Sequence, residues 1–145
     1  MNTYLRSLLL AAVLGSTPVL AQTNAPVEVY KSPSCGCCGE WAEHMRQNGF
    51  KVKVHEVDDV PAARKKLGMP DKLASCHTAK IGNYVFEGHV PAADVQRLLK
   101  EQPKALGLAV PSMPPGSPGM DIPNSPPYQT LIVRADGSTS VFAQH

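Results

Sequence analysis

Apolar residues recur at two spacings along this chain, and each change of spacing marks an element. Over 27–31, Val27 and Val29 alternate with polar neighbours, the period-two signature of a half-buried strand. Residues 32–39, "SPSCGCCG", carry Pro33, Gly36 and Gly39 and are expected to form a turn. The spacing then lengthens. Trp41 and Met45 stand four apart and Gly49 closes the segment, which predicts a helix over 40–49. From Phe50 the alternation returns, with Phe50, Val52 and Val54 inward and Lys51, Lys53 and His55 outward, a second strand. "VPAARKKLG" (60–68) has Pro61 near its start and Gly68 after its end and reads as a short helix. The connection 69–82 leads into a third strand, Gly82-Asn83 makes a hairpin turn, and "NYVFEG" is a fourth strand. In 89–102, Ala92, Val95 and Leu99 share one helical face, with Leu98 beside them.

Residues 26–102 therefore predict β-α-β-α-β-β-α, an α/β or α+β domain around a small mixed sheet. A strand, a cysteine-bearing turn and a helix open that order, which resembles the thioredoxin-like fold. Thioredoxins carry a cis-proline just before their third strand, facing the active-site cysteines; here "ASCHT" offers Cys76 and His77 instead. Residues 103–127 break the periodicity. They hold eight of the chain's 14 prolines, which excludes helix and makes a poor strand. Leu106, Leu108, Val110, Met113 and Met120 are apolar enough to hold this loop to a surface, so it is expected to wrap the domain and not to dangle as a disordered linker. In 128–144 two β-rich runs flank Asp136-Gly137, a strong hairpin signal.

The length, 145 residues, fits one domain. Its first 21 residues change the picture of where that domain works. Arg6 supplies a positive start, Leu8 to Leu14 form a short apolar run, and small residues precede a cut after Ala21. This reads as a secretory signal peptide, too short to span a membrane. Residues 22–145 are then expected to be a single exported domain with no membrane span, large enough for a core without staples. The net charge is +2 and no basic run or stripe appears, which argues against nucleic acid as a partner.

Cys35, Cys37, Cys38 and Cys76 all lie beyond that leader. In an oxidising compartment four cysteines ordinarily suggest two disulfides. The spacing argues otherwise. Neighbours Cys37 and Cys38 would close a strained ring, Cys35 with Cys37 would be tight, and only Cys35 with Cys38 has the Cys-x-x-Cys relation of redox proteins. Cys37 and Cys76 then need another role. The cluster sits between a strand and a helix N-terminus, where unpaired N–H groups and the helix dipole stabilise thiolates. A lowered thiol pKa serves a redox nucleophile and a metal ligand alike. Three crowded thiolates repel one another unless a cation sits among them.

The remaining candidate donors are Cys76, His77, His89, Met113 and Met120. Soft thiolate and thioether donors select Cu(I). Zinc accepts cysteine and histidine, but it spaces its cysteines as Cys-x₂₋₄-Cys pairs, which only Cys35 and Cys38 satisfy. A thiolate can bridge two Cu(I) ions, so a packed cluster could be multinuclear. The blander alternatives are a buried thiol beside an imidazole for Cys76-His77, a surface or capping role for His89, and gap-filling packing for Met113 and Met120. His44 and His55 are left outside the site.

Three stretches together, "CGCCGEWAEHMRQNGF", "GMPDKLASCHTAKIGNYVFEGHVPAADVQRLL" and "GLAVPSMPPGSPGMD", resemble the CopG-type periplasmic copper-resistance proteins. The resemblance runs from about Val27 to Gln144. It implies a thioredoxin-like fold that holds Cu(I) through cysteines and takes part in copper tolerance, with other periplasmic copper-handling proteins as exchange partners. The family's Cys-x-Cys-Cys motif falls on Cys35, Cys37 and Cys38, and its Cys-His motif on Cys76 and His77. Its Gly-His-Val-Pro motif falls on His89, and its methionine loop on Met113 and Met120. Ser112 departs from the pattern, where glycine is expected; this puts the local loop conformation in question.

Two functions from different classes stay open on these residues. One is a binding protein that sequesters or passes on Cu(I); enzymatic copper redox enters only through the resemblance. The other is a thiol–disulfide oxidoreductase with Cys35 as nucleophile and Cys38 as resolving thiol. A structural zinc module ranks third.

Overall fold

The computed structural model describes residues 25–145; the expected leader, 1–21, lies outside them. The alternating segment at the start forms strand β1 (Val27–Lys31), which pairs in parallel with β2 (Val52–Glu56) through the intervening helix α1 (Gly36–Gln47). Helix α2 (Val60–Lys66) follows, its N-terminus capped by the Asp59 carboxylate, which accepts the Ala62 N–H at 2.8 Å, with Pro61 in the first turn. The hairpin β3 (His77–Ile81) and β4 (Tyr84–Glu87) then adds antiparallel to β1, and helix α3 (Ala92–Glu101) returns the chain. Strand β5 (Gly107–Ala109) runs parallel to β4, and the hairpin β6 (Gln129–Val133) and β7 (Thr139–Gln144) completes one seven-stranded sheet in the order β2-β1-β3-β4-β5-β6-β7.

Two sequence expectations need correcting. Residues 32–39 are not all turn: α1 begins at Gly36, with Cys35 in extended backbone as its N-cap. Glycine costs little in a first turn, whose N–H groups have no intrahelical partner in any case. The cysteines therefore belong to the helix itself. The second correction falls in the proline-rich segment, which is not uniformly a poor strand. Between Pro103 and Pro111 no proline occurs, and Gly107–Ala109 in that gap forms a strand at the middle of the sheet. Composition averaged over 103–127 hides this piece, and burial between two partners overrides its weak local preference. The small sheet and the separate hairpin expected from the sequence are thus one continuous sheet.

Strand alternation sorts the interior onto two faces. Val27, Val29, Ala79, Ile81, Phe86, Leu108 and Val110 meet Trp41 and Met45 of α1 and Val95 and Leu98 of α3. On the other face Val85, Ala109 and Val133 pack with Met69 and Leu73, beside α2. His77 falls in register with Lys31, on the α1 side of the sheet, whereas Thr78 and Glu87 oppose each other on the α2 side. Residues 111–127 form an ordered strap with its own turns: Ser117 donates through Oγ to the Pro114 carbonyl at 2.7 Å, and its own carbonyl receives Met120 N–H at 2.8 Å. Ser112, the departure from the family pattern, has φ 62°, a left-handed conformation that glycine adopts without strain.

Candidate metal centre

One end of the sheet collects every cysteine. The carboxyl ends of β1, β4 and β5 and the start of β3 lie together there, because β3 is antiparallel to β1 and β4 while β5 is parallel to β4. The end of β1 feeds the first turn of α1, which presents Cys35, Cys37 and Cys38. Lys31 pairs with His77, so the start of β3 brings Cys76-His77 beside that turn. Gly88 N–H donates to the His77 carbonyl at 3.0 Å, which sets His89 alongside. The strap leaves β5 at the same end and crosses over the site.

The sulfur atoms of Cys35, Cys37, Cys38 and Cys76 lie within 4.8 Å of one another, and so do one donor atom each from Cys76, His77 and His89. Cys76 belongs to both groups. Cys35 and Cys38 are joined as a disulfide, while Cys37 and Cys76 are free thiols. Cys37 Sγ stands 3.7 Å from Cys35 Sγ, and Cys38 Sγ stands 3.7 Å from the Cys76 carbonyl oxygen. Cys76 Sγ is 3.0 Å from His89 Nε2 and 3.6 Å from His77 Nδ1.

The imidazoles are oriented from behind. His89 Nδ1 lies 2.7 Å from the Pro118 carbonyl, which can only accept, so Nδ1 carries the proton and Nε2 offers its lone pair toward Cys76. His77 is fully buried against the Trp41 ring, centroids 4.5 Å apart, and its Nε2 has no hydrogen-bond partner among the described residues. Burial, and then His89 nearby, pushes His77 down to about 3. Burial also lowers His89, against the opposing Pro118 carbonyl. Burial first, and then Cys37, pushes the Cys76 thiol up to about 12. Both imidazoles are thus neutral donors, and Cys76 sits where its thiolate needs a cation for company.

Trp41 and Gly119 hold the two sides of the site together. The Trp41 Nε1–H donates to the Val90 carbonyl at 2.8 Å, tying α1 to the segment that carries His89. Trp41→Phe removes that donor together with part of the indole's buried volume, and leaves the buried carbonyl unpaired. It is expected to cost about 1–3 kcal/mol in denaturant unfolding followed by circular dichroism; a cost below about 0.5 kcal/mol would show that water replaces the bond. Gly119 lets the strap touch α1: a Cβ there would stand 2.8 Å from the Cys37 carbonyl oxygen and 2.9 Å from Trp41 N, at φ 87°.

The eight sequence-predicted residues divide accordingly. Cys35, Cys37, Cys38, Cys76, His77 and His89 are brought together. Met120 follows Gly119 and is half-buried, while Met113 follows Ser112 and is 46 % exposed. His44 is structural, its Nε2 accepting the Ala92 N–H at 3.1 Å, and His55 pairs with Glu28 at the sheet's edge. Sequence reasoning missed Arg64 and Glu87. Arg64 stands in a run with Lys65 and Lys66 that reads as a solvated face, and Glu87 ends a strand, yet both are buried.

Comparison with known proteins agrees with this geometry. A family model described as "Protein of unknown function, DUF411" matches residues 73–120, the stretch from before Cys76 to Met120. No curated protein matches the chain. Two solved structures, "Copper resistance protein copG- Form 1" and "Copper resistance protein copG- Form 2", are each 41 % identical to it over 83 % of its length. They are covered over 97 % and 98 % of their own chains, with TM-scores of 0.78 and 0.79. An identity that high over nearly the whole of those chains, on the same thioredoxin-like fold, makes this protein a member of the CopG family of copper-resistance proteins.

Proposed function

We propose that the protein binds Cu(I) in the periplasm and serves copper resistance by sequestering the ion or passing it on. The observation that carries this is the convergence of four cysteine sulfurs, from two segments 38 residues apart, within 4.8 Å. A convergent set of soft donors suits Cu(I) better than any other metal met outside the cytoplasm. Bridging thiolates would let the site hold more than one ion. His77 and His89 add neutral nitrogen donors through the shared Cys76, and Met113 and Met120 offer thioethers from the strap. The strap would shield the ion from water and dioxygen. The expected leader supports a location beyond the inner membrane, with copper ions and other copper-handling proteins as partners.

The Cys35–Cys38 disulfide supports a second reading, a thiol–disulfide oxidoreductase. It also sets a condition on the first. A disulfide withholds two thiolates, so loading all four sulfurs requires its two-electron, two-proton reduction to two thiols by a dithiol.

One experiment separates the two. The reduced protein is titrated with Cu(I) against a competing chelator and assayed for reduction of a protein disulfide. Tight uptake that is lost in Cys37→Ser supports copper binding. Weak uptake, with disulfide reduction indifferent to Cys37→Ser, supports the oxidoreductase and overturns copper binding. Met120→Ala is expected to weaken copper retention at unchanged melting temperature; a large drop in the metal-free protein would mark Met120 as core.

A further inference from the structure

The β3 ladder begins at His77, so the residues just before it lie outside the sheet's hydrogen bonds. Cys76, which both donor groups share, stands there on a half-exposed segment with no strand partner to fix it. Other groups hold it. Glu87 Oε1 accepts the Ser75 N–H at 2.8 Å, and Arg64 donates through a terminal nitrogen to the Ser75 carbonyl at 2.7 Å. Arg64 Nε donates to the same Glu87 oxygen at 2.8 Å. One ion pair thus grips both peptide groups of Ser75, including the one that leads into Cys76. It does so from the α2 face, opposite the cysteines.

The grip extends to the strap. Ser75 Oγ donates to the Ser112 carbonyl, and Ser112 N–H donates to the Ala74 carbonyl at 3.1 Å, directly before Met113. Gly88 leaves room for this meeting of three segments: a Cβ there would stand 2.5 Å from both Ser75 Oγ and the Val110 carbonyl oxygen.

Stability alone does not account for the pair. Arg64 is 4 % exposed and Glu87 fully buried, and Glu87 Oε2 finds no hydrogen-bond partner among the described residues. An ion pair so desolvated gains little over an apolar pair of the same volume. Its distinctive contribution is directional, since a guanidinium forks between two acceptors at fixed angles and an ammonium does not.

We propose that Arg64 and Glu87 are positioning residues of the metal centre: through Ser75 they hold Cys76 against the cysteine turn and couple that segment to the strap. This rests on the copper-binding reading but is tested apart from it. Arg64→Lys keeps the charge beside Glu87 and removes the fork to Ser75. Arg64→Met/Glu87→Met removes both charges at similar volume. Each variant is compared with the wild type for melting temperature, for amide hydrogen exchange at Ser75, and for Cu(I) retention against a chelator.

Both are expected to stay folded, to lose protection at Ser75, and to hold Cu(I) roughly 10–100-fold less tightly, as removal of outer-shell partners does elsewhere. Should the double variant fail to fold, Arg64→Lys decides alone. A wild-type exchange rate at Ser75 together with undiminished Cu(I) affinity in a folded variant overturns the proposal. Lost protection with no Cu(I) uptake by the wild type leaves the positioning intact and sinks the copper reading instead.

Discussion

Gly107→Ala is expected to be among the most damaging single substitutions in this protein. An added Cβ would stand 1.7 Å from the Val85 carbonyl oxygen, 2.6 Å from its carbon and 2.8 Å from Val85 N. These are backbone atoms of a paired strand and cannot swing aside as a side chain could. Gly107 and Val85 are register partners, so the methyl can be accommodated only by opening the β4–β5 pairing. β5 is three residues long and joins β4 to the C-terminal hairpin. Its loss would separate β6 and β7 from the rest of the sheet and uncover Ala109 and Val133. The expected cost exceeds about 4 kcal/mol, well beyond the roughly 1 kcal/mol typical of point substitutions. Denaturant unfolding measures it, and hydrogen exchange should show β6, β7 and the strap deprotected before β1 and β3. A cost under about 1 kcal/mol would mean that β4 and β5 do not pair as described.

Cys76→Ser is expected to have the largest effect on metal. Cys76 is the one residue common to the four-sulfur group and the sulfur–imidazole group. Serine keeps the shape but replaces a soft donor with a hard one that stays protonated at neutral pH. The expected loss of Cu(I) affinity exceeds about 100-fold, above the range seen when only outer-shell partners are removed. The fold should survive, because Cys76 is half-exposed and its sulfur is in no disulfide. Chelator competition on the reduced variant measures the affinity, and the melting temperature of the metal-free protein checks the fold. Affinity within a few-fold of the wild type would show that the 35–38 turn holds Cu(I) unaided.

The resemblance explains how much of this could be anticipated. The donors lie in short, ordered motifs, and their residue types declare soft-metal or thiol chemistry wherever the chain places them. The same holds for the strands and helices: Val27 and Val29, Trp41 and Met45, and the Asp136-Gly137 turn each encode their element through contacts a few residues away. Boundaries at glycine-rich and proline-rich positions were harder to read. Gly36 and Gly39 read as breakers but sit in a helix's first turn, and the prolines on either side of Gly107–Ala109 mask a central strand. In both places the deciding contact comes from a distant part of the chain.

What the sequence determined by itself, then, is the set of local elements and the donor types, because periodicity, turn chemistry and side-chain chemistry act over a few residues. The tertiary structure decided that these donors meet. Antiparallel pairing of β3 with β1 carries Cys76 to the cysteine turn, and the parallel course of β5 returns the strap to that same end of the sheet. It also decided that Arg64 and Glu87, ordinary surface charges by their neighbours, are buried and grip Ser75. Strand order and burial arise from the summed packing of the whole core, and no short window of sequence contains that sum.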